Sequence, residues 1–239
     1  FSLLPSPFSL LPSPFSLLRK DSPVTYQTIL FDLDGTLIDP KVGITTAVQV
    51  ALARFGIEID DRDLLLPYIG PPLRESFQRY HGLDDAQAVE AIGYYREHFG
   101  PKGVFENELY PGIAGLLRDL HGEGVRSIVA TSKPTVYAGQ IVDHHGLTAL
   151  FDLIAGSNLD HTRVAKTEVI AHVLAERPGI ADGNLVMVGD REHDVIGARN
   201  NGLDAIGVSY GYGSADELHA SGAIAVAPSV AELRRLLGV

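Results

Sequence analysis

Asp32 and Asp34 stand one residue apart at the end of an apolar run, in Ile29-Leu30-Phe31-Asp32-Leu33-Asp34-Gly35-Thr36. If that run is a strand, successive side chains alternate, so both carboxylates point to the same side across Leu33. Like charges that close repel unless a cation or a shared proton offsets them. A divalent hard cation, which prefers oxygen ligands, resolves the repulsion and also draws in a phosphate. Asp-x-Asp-Gly suits an ordinary turn as well. Other positions have to decide.

Three further places carry candidate chemistry. The run Ser127-Ile128-Val129-Ala130 leads into Thr131-Ser132-Lys133-Pro134, where hydroxyls and the first amides of a following helix suit a phosphate; the plainer reading is a helix N-cap by Thr131 or Ser132. Leu185-Val186-Met187-Val188 leads into Gly189-Asp190, with Asp194 four residues on, which puts both acids on one face if a helix has already begun; the plainer reading is capping by Asp190 with Asp194 exposed. Lys166 opens a helical stretch, where a positive charge opposes the helix dipole, so its placement calls for another role. Arg96, in Tyr94-Tyr95-Arg96, is a candidate for an anionic group on a substrate, against the alternative of a solvated helix arginine. Arg74, after Gly70-Pro71-Pro72-Leu73, is a secondary one. His144, His145 and His193 have no metal-site spacing and read as surface residues. Gly211 and Gly213 form a glycine loop without a definite signal.

Elements that would position these residues follow from periodicity. A first strand starts near Tyr26 and ends at the carboxylates. Helical spacing covers Val42 to Phe55, Leu73 to Tyr80 and Asp84 to Phe99, with no strand expected between Asp39 and Tyr110. Pro40 and Tyr110-Pro111-Gly112 bracket this helical insert and suit hinges. The chain then alternates: helix Gly112 to His121, strand Val125 to Thr131, helix Thr135 to His144, strand Phe151 to Ala155, helix Lys166 to Glu176, strand Leu185 to Val188. Helix Val195 to Asn201, strand Ala205 to Val208 and helix Val230 to Leu237 complete it. Such alternation predicts an α/β fold, a Rossmann-like doubly wound parallel sheet with an inserted α-helical domain. Its domains are 23–40 with 110–239 as the core and 41–109 as the insert. Ligands in such sheets bind at the carboxyl ends of the strands, where the candidate acids fall.

Composition narrows the partners. The chain has 239 residues, 45% of them hydrophobic, enough for a full core. Its 19 basic and 30 acidic residues give a formal charge of −11, which argues against nucleic acid or an anionic membrane as main partner. There is no cysteine, which rules out disulfides and thiolate metal sites and fits a cytoplasmic location. No apolar run reaches the roughly 18 residues of a membrane span. Residues 1–22 form a low-complexity extension built on FSLLPSP, FSLLPSP, FSLL. Pro5, Pro7, Pro12 and Pro14 exclude a coiled coil from this heptad, and it lacks the basic and uninterrupted apolar regions of a secretory signal.

In chain order the motifs are Asp-x-Asp, a hydroxyl, a lysine and Gly-Asp-x-x-x-Asp. This order resembles the haloacid dehalogenase superfamily of aspartate-nucleophile phosphohydrolases. FDLDGTLID, ATSKP, Lys166 and GDREHD are similar to its phosphoglycolate phosphatase and nucleotidase branch. The resemblance runs from about Tyr26 to the C-terminus; Pro40 departs from it, standing where that branch usually has a small hydroxyl residue. It implies a phosphomonoester hydrolase acting on a small phosphorylated metabolite. Asp32 would be the nucleophile and Asp34 the general acid and base. Mg²⁺ would be held by Asp32, the Asp34 carbonyl and Asp190, with Asp194 orienting its other ligands. Thr131 would bind the phosphoryl oxygens with Ser132 and Lys133 nearby, and Lys166 would neutralise charge there. The insert would be a small cap carrying Arg96. Phosphoglycolate, a nucleoside monophosphate or a sugar phosphate would all suit, and oligomeric state stays open. A phosphomutase shares the acids, and a non-enzymatic phospho-aspartate signalling or binding protein shares the acid, hydroxyl and lysine.

Overall fold

Four buried residues, Thr28-Ile29-Leu30-Phe31, form β1 at the centre of the sheet in the computed structural model, which describes residues 26–160, 162–180 and 183–239. The N-terminal repeat lies outside the described residues. In chain order, β1 (Thr28–Phe31) and β2 (Ile38–Asp39) precede the helices α1 (Lys41–Ala53), α2 (Leu73–His81) and α3 (Asp85–Phe99). Then come β3 (Glu108–Leu109), α4 (Ile113–Gly122), β4 (Arg126–Pro134), α5 (Thr135–His144) and β5 (Leu153–Ser157). The chain continues through α6 (Lys166–Glu176), β6 (Leu185–Gly189), α7 (Glu192–Asn200), β7 (Asp204–Val208), α8 (Ala215–Ser221), β8 (Ala225–Ala227) and α9 (Val230–Leu237).

Six strands make a parallel sheet in the order β5-β4-β1-β6-β7-β8. The chain builds outward from β1 to one edge and then, from β6, to the other. The order therefore reverses beside β1, which opens a crevice at its carboxyl end. Period-two alternation divides the core. Ile29 and Phe31 face a cluster with Leu116 of α4, Ile141 of α5 and Leu233 of α9. Leu30 faces the opposite cluster with Val169 and Val173 of α6, Val195 of α7 and Leu218 of α8. Both faces are covered, as expected of a doubly wound sheet.

The insert joins the first of these clusters: Ala47 and Leu52 of α1, Phe77 of α2 and Ile92 of α3 are continuous with it. A capping box starts α3, with Asp84 accepting from Gln87 N at 2.9 Å and Gln87 Oε1 accepting from Asp84 N at 2.9 Å. Among the described residues, no helix is long and apolar enough to cross a membrane.

Several elements differ from the periodicity. A strand does occur between Asp39 and Tyr110: β3 pairs antiparallel with β2, Ile38 opposite Leu109 and Asp39 opposite Glu108. A two-residue strand is too short to show alternation. A 3₁₀ turn at Arg62–Tyr68 holds Pro67 and has no 3.6-residue stripe. Helix α8 and strand β8, seven and three residues long, are equally below the reach of the pattern. Strand β4 runs on to Pro134 through an irregularity after Ala130, and helix α7 starts at Glu192, before the first apolar residue, Val195.

Candidate active site

The register that pairs Phe31 with both Val129 and Val188 brings the ends of β1, β4 and β6 side by side. Asp32 follows directly, its backbone N–H donating to the Val188 carbonyl at 2.9 Å. From the start of α6, Lys166 reaches across beneath it. Its Nζ lies 2.7 Å from Asp32 Oδ1 and 2.8 Å from Asp194 Oδ1, and donates to the Ala130 carbonyl at 2.9 Å. That geometry explains a lysine at a helix start: its partners are two carboxylates, not the dipole. Burial by itself would lower the Lys166 pKa, but Asp194 and Asp32 raise it, so it is a cation.

Asp190 and Asp194 do not share a helical face. Asp190 precedes the helix, and Asp194, in its first turn, accepts from Arg191 N at 3.0 Å. The sheet brings both beside Asp32, and Lys166 ties Asp194 to Asp32. One carboxylate oxygen each from Asp32, Asp190 and Asp194 lie within 4.8 Å of one another, all three residues buried. Burial, then the charges of Asp194 and Asp32, push the Asp190 carboxyl well above its ordinary range; burial also raises Asp194, against Lys166. Asp190 Oδ1 is buried without a hydrogen-bond partner, while Oδ2 accepts from Tyr212 N at 2.8 Å. Three hard oxygens, one of them orphaned, fit a divalent cation such as Mg²⁺. Four carboxylates here (Asp32, Asp34, Asp190, Asp194) face two ammonium groups (Lys133, Lys166), an excess that a divalent cation matches.

Backbone closeness sets this cluster. Gly35, at φ +84°, lies so near the Asp190 carboxylate that a Cβ there would collide with it, and Gly211 is wedged between the Gly35 carbonyl and Asp190. The glycine loop at Gly211 and Gly213 thus wraps the Asp190 side chain and presents Tyr212 N to it. Its spacing around Tyr212 is the only local signal, and with no partner nearby in sequence it points nowhere.

The Asp34 carboxylate lies outside the trio. Its Oδ2 pairs with Lys133 Nζ at 2.8 Å, and Oδ1 is buried without a hydrogen-bond partner. Burial raises the Asp34 carboxyl, with Lys133 opposing. Lys133 also sits over the Phe99 ring of α3, 4.5 Å from its centroid. Thr131 is buried, and its Oγ1 accepts from Lys133 N at 3.3 Å; the Ser132 carbonyl accepts from Ser157 Oγ at 2.8 Å. Neither hydroxyl caps a helix, since Pro134 occupies the N-cap of α5 and makes no side-chain cap bond.

These groups open into a cavity of about 420 Å³ that also takes in Arg96, Arg74, Arg191 and His193. Arg96 Nη1 donates to the Leu159 carbonyl at 2.9 Å, tying α3 to the loop after β5. Arg74 pairs with Asp85. His193, expected at the surface, is half-buried in the wall. Arg191 crosses the other way, from the Asp190 loop to the Ile69 carbonyl at 3.0 Å, with Glu217 at 2.9 Å on its Nε. Nothing in its local sequence marks it, because its partner is 122 positions away.

The family model of haloacid dehalogenase-like hydrolases matches residues 29–208. The chain is 47% identical over 218 residues to a 5'-nucleotidase of Pseudomonas aeruginosa, covering 91% of this chain and 98% of that one. It is 42% identical over 215 residues to the tyrosine-protein kinase PtkA of Mycobacterium tuberculosis, covering 89% and 73%. Among solved structures, a predicted phosphatase from Clostridium acetobutylicum superposes with a TM-score of 0.84 at 44% identity, covering 88% of this chain and 97% of that one. The chain belongs to the haloacid dehalogenase-like hydrolase family. It is an enzyme of the hydrolase class, with a nucleotidase and phosphatases among its relatives.

Proposed function

We propose that this hydrolase is a Mg²⁺-dependent phosphomonoesterase that works through an aspartyl-phosphate, with residues 23–40 and 110–239 as the catalytic core and 41–109 as a cap. The observation that carries the reading is the Lys166 ammonium between the Asp32 and Asp194 carboxylates, at 2.7 and 2.8 Å, on the floor of the cavity. That contact holds Asp32 in one orientation, open to an incoming phosphorus. Asp32, the Asp34 carbonyl, Asp190 and Asp194 would hold Mg²⁺, which when bound offsets the repulsion between carboxylate and phosphate.

Asp32 forms a bond to phosphorus as the ester P–O bond breaks, and Asp34 gives a proton to the departing oxygen. A water then loses a proton to Asp34 and displaces the phosphoryl group, releasing inorganic phosphate and restoring Asp32. Thr131 and Ser132 hydrogen-bond the phosphoryl oxygens. Lys133 holds Asp34 in place beside them, and Lys166 offsets charge developing there. Arg96 closes the cavity wall by fastening α3 to the loop after β5. A phosphomutase would return the phosphoryl group to an alcohol, and release of inorganic phosphate separates the two. Asp32→Asn is expected to abolish phosphate release from a phosphomonoester panel while leaving the thermal transition in place; full activity in that variant would sink the assignment.

A further inference from the structure

Away from the carboxylates, the cavity wall is made by Tyr68, Pro71, Ile92, Tyr95, Phe99 and Tyr137. Its rings are held in fixed positions. Tyr95 stacks on Phe99 with centroids 5.1 Å apart and planes 13° apart, and Tyr137 meets Phe99 edge-on at 5.4 Å. The Tyr68 hydroxyl is tied to His81 Nδ1 at 2.6 Å. This wall offers apolar surface and ring faces.

Most cations of the cavity are already paired. Five cationic side chains line it (Arg74, Arg96, Lys133, Lys166, Arg191), against five carboxylates (Asp32, Asp34, Glu75, Glu168, Asp194). Four of the cations are ion-paired: Arg74 with Asp85, Lys133 with Asp34, Lys166 with Asp32 and Asp194, Arg191 with Glu217. The fifth, Arg96, has no ion-pair partner among the described residues; its Nη1 donates to the Leu159 carbonyl, which leaves its charge in place. Beyond the phosphate end no positive excess is left, and Glu75 stands exposed at the mouth. The wall beyond the phosphate end sets Arg96 against the carboxylates of Glu75 and Glu168, so a carboxylate on the substrate's alcohol portion would meet more like than opposite charge, and burying it there is costly. An uncharged ring gains burial there instead.

We infer, resting on the phosphomonoesterase reading, that the leaving group is an uncharged, ring-bearing alcohol and not a hydroxy acid. The cavity of about 420 Å³ agrees, falling in the range of roughly 300–1,000 Å³ that encloses drug-sized ligands. A two-carbon acid fills little of it. Half-buried His193 supplies a hydrogen bond to a neutral polar atom of such a ligand without requiring a charge on it.

The test compares kcat/KM of the full chain with Mg²⁺ on benzyl phosphate, ethyl phosphate and 2-phosphoglycolate, whose leaving oxygens are all unactivated. Ring burial of about 1.5–3 kcal/mol corresponds to a benzyl-over-ethyl advantage of about 10- to 100-fold. Phosphoglycolate is expected at or below ethyl phosphate. Tyr137→Ala should shrink the benzyl advantage by raising KM for benzyl phosphate alone, and Tyr137→Phe should keep it. Preference for phosphoglycolate over benzyl phosphate, or an equal loss on both esters in Tyr137→Ala, overturns the inference while leaving phosphomonoesterase activity in place. Turnover of none of the three removes the phosphomonoesterase reading, and this inference with it.

Discussion

Single residues at this site are placed by contact more than by propensity. Gly35 shows it best: a positive φ of 84° together with the Asp190 carboxylate against its Cα leaves no room for any side chain. Gly35→Ala is therefore expected to displace Asp190 and to lower kcat/KM by about 100-fold, the loss typical of a misplacement of about 1 Å near reacting groups. Steady-state kinetics on a phosphomonoester would show it, and a variant within a few-fold of the parent would mean that Asp190 tolerates the shift. The carboxylate pair that opens the site is readable from strand alternation, but its division of labour is not. Asp32 faces Lys166 and Asp34 faces Lys133, two lysines that lie far along the chain from the pair, and no local pattern links them.

At the scale of elements, one link between the helices after β2 and the sheet passes through α7 and α8. Arg191 joins the Ile69 carbonyl to Glu217, whose Oε1 also accepts from Glu192 N at 2.9 Å. Burial would raise the Glu217 carboxyl, but the Glu192 N–H and the Arg191 guanidinium hold it below its usual range. A carboxyl depressed in the folded state adds stability above its unfolded pKa, about 4.3, and loses it as pH falls through the folded value. Glu217→Gln should thus be less stable than the parent at pH 7 by roughly 1 kcal/mol, with the difference shrinking as pH falls below about 4. Urea midpoints measured across that range check it; a gap independent of pH would assign the effect to packing. The long helices and buried strands are legible in the sequence because each carries several turns or a run of apolar residues. The β2–β3 pair, the 3₁₀ turn and α8 are not, since two to seven residues hold too little periodicity.

For the whole molecule, the buried carboxylates make metal binding and stability one question. Asp190 and Asp194 have pKa values raised by burial, so as anions they weigh on the fold unless a cation joins them. Saturating Mg²⁺, at about 100 times its Kd, is expected to add about 2.7 kcal/mol. For a chain of this size that is a rise of roughly 5–10 °C in Tm. Chelation with EDTA should reverse that rise and remove activity, and Mg²⁺ should restore both; calorimetry with and without Mg²⁺ reads the first, phosphate release the second. A Tm indifferent to Mg²⁺ would leave the acid trio without the ligand it fits.

By itself the sequence determined the α/β class, the helical insert after the first strand and the order of the acidic, hydroxyl and lysine motifs, because each rests on a local period or a short spacing. The tertiary structure alone decided which acids meet. Asp190 and Asp194 meet Asp32 through sheet register, Lys166 ties Asp194 to Asp32, and the loop of Gly211 to Gly213 closes on Asp190 from another strand end. It also decided the character of the cavity: four of the five cations there are ion-paired with partners brought to them by the fold, a fact that lives in distances between residues and in no stretch of the chain.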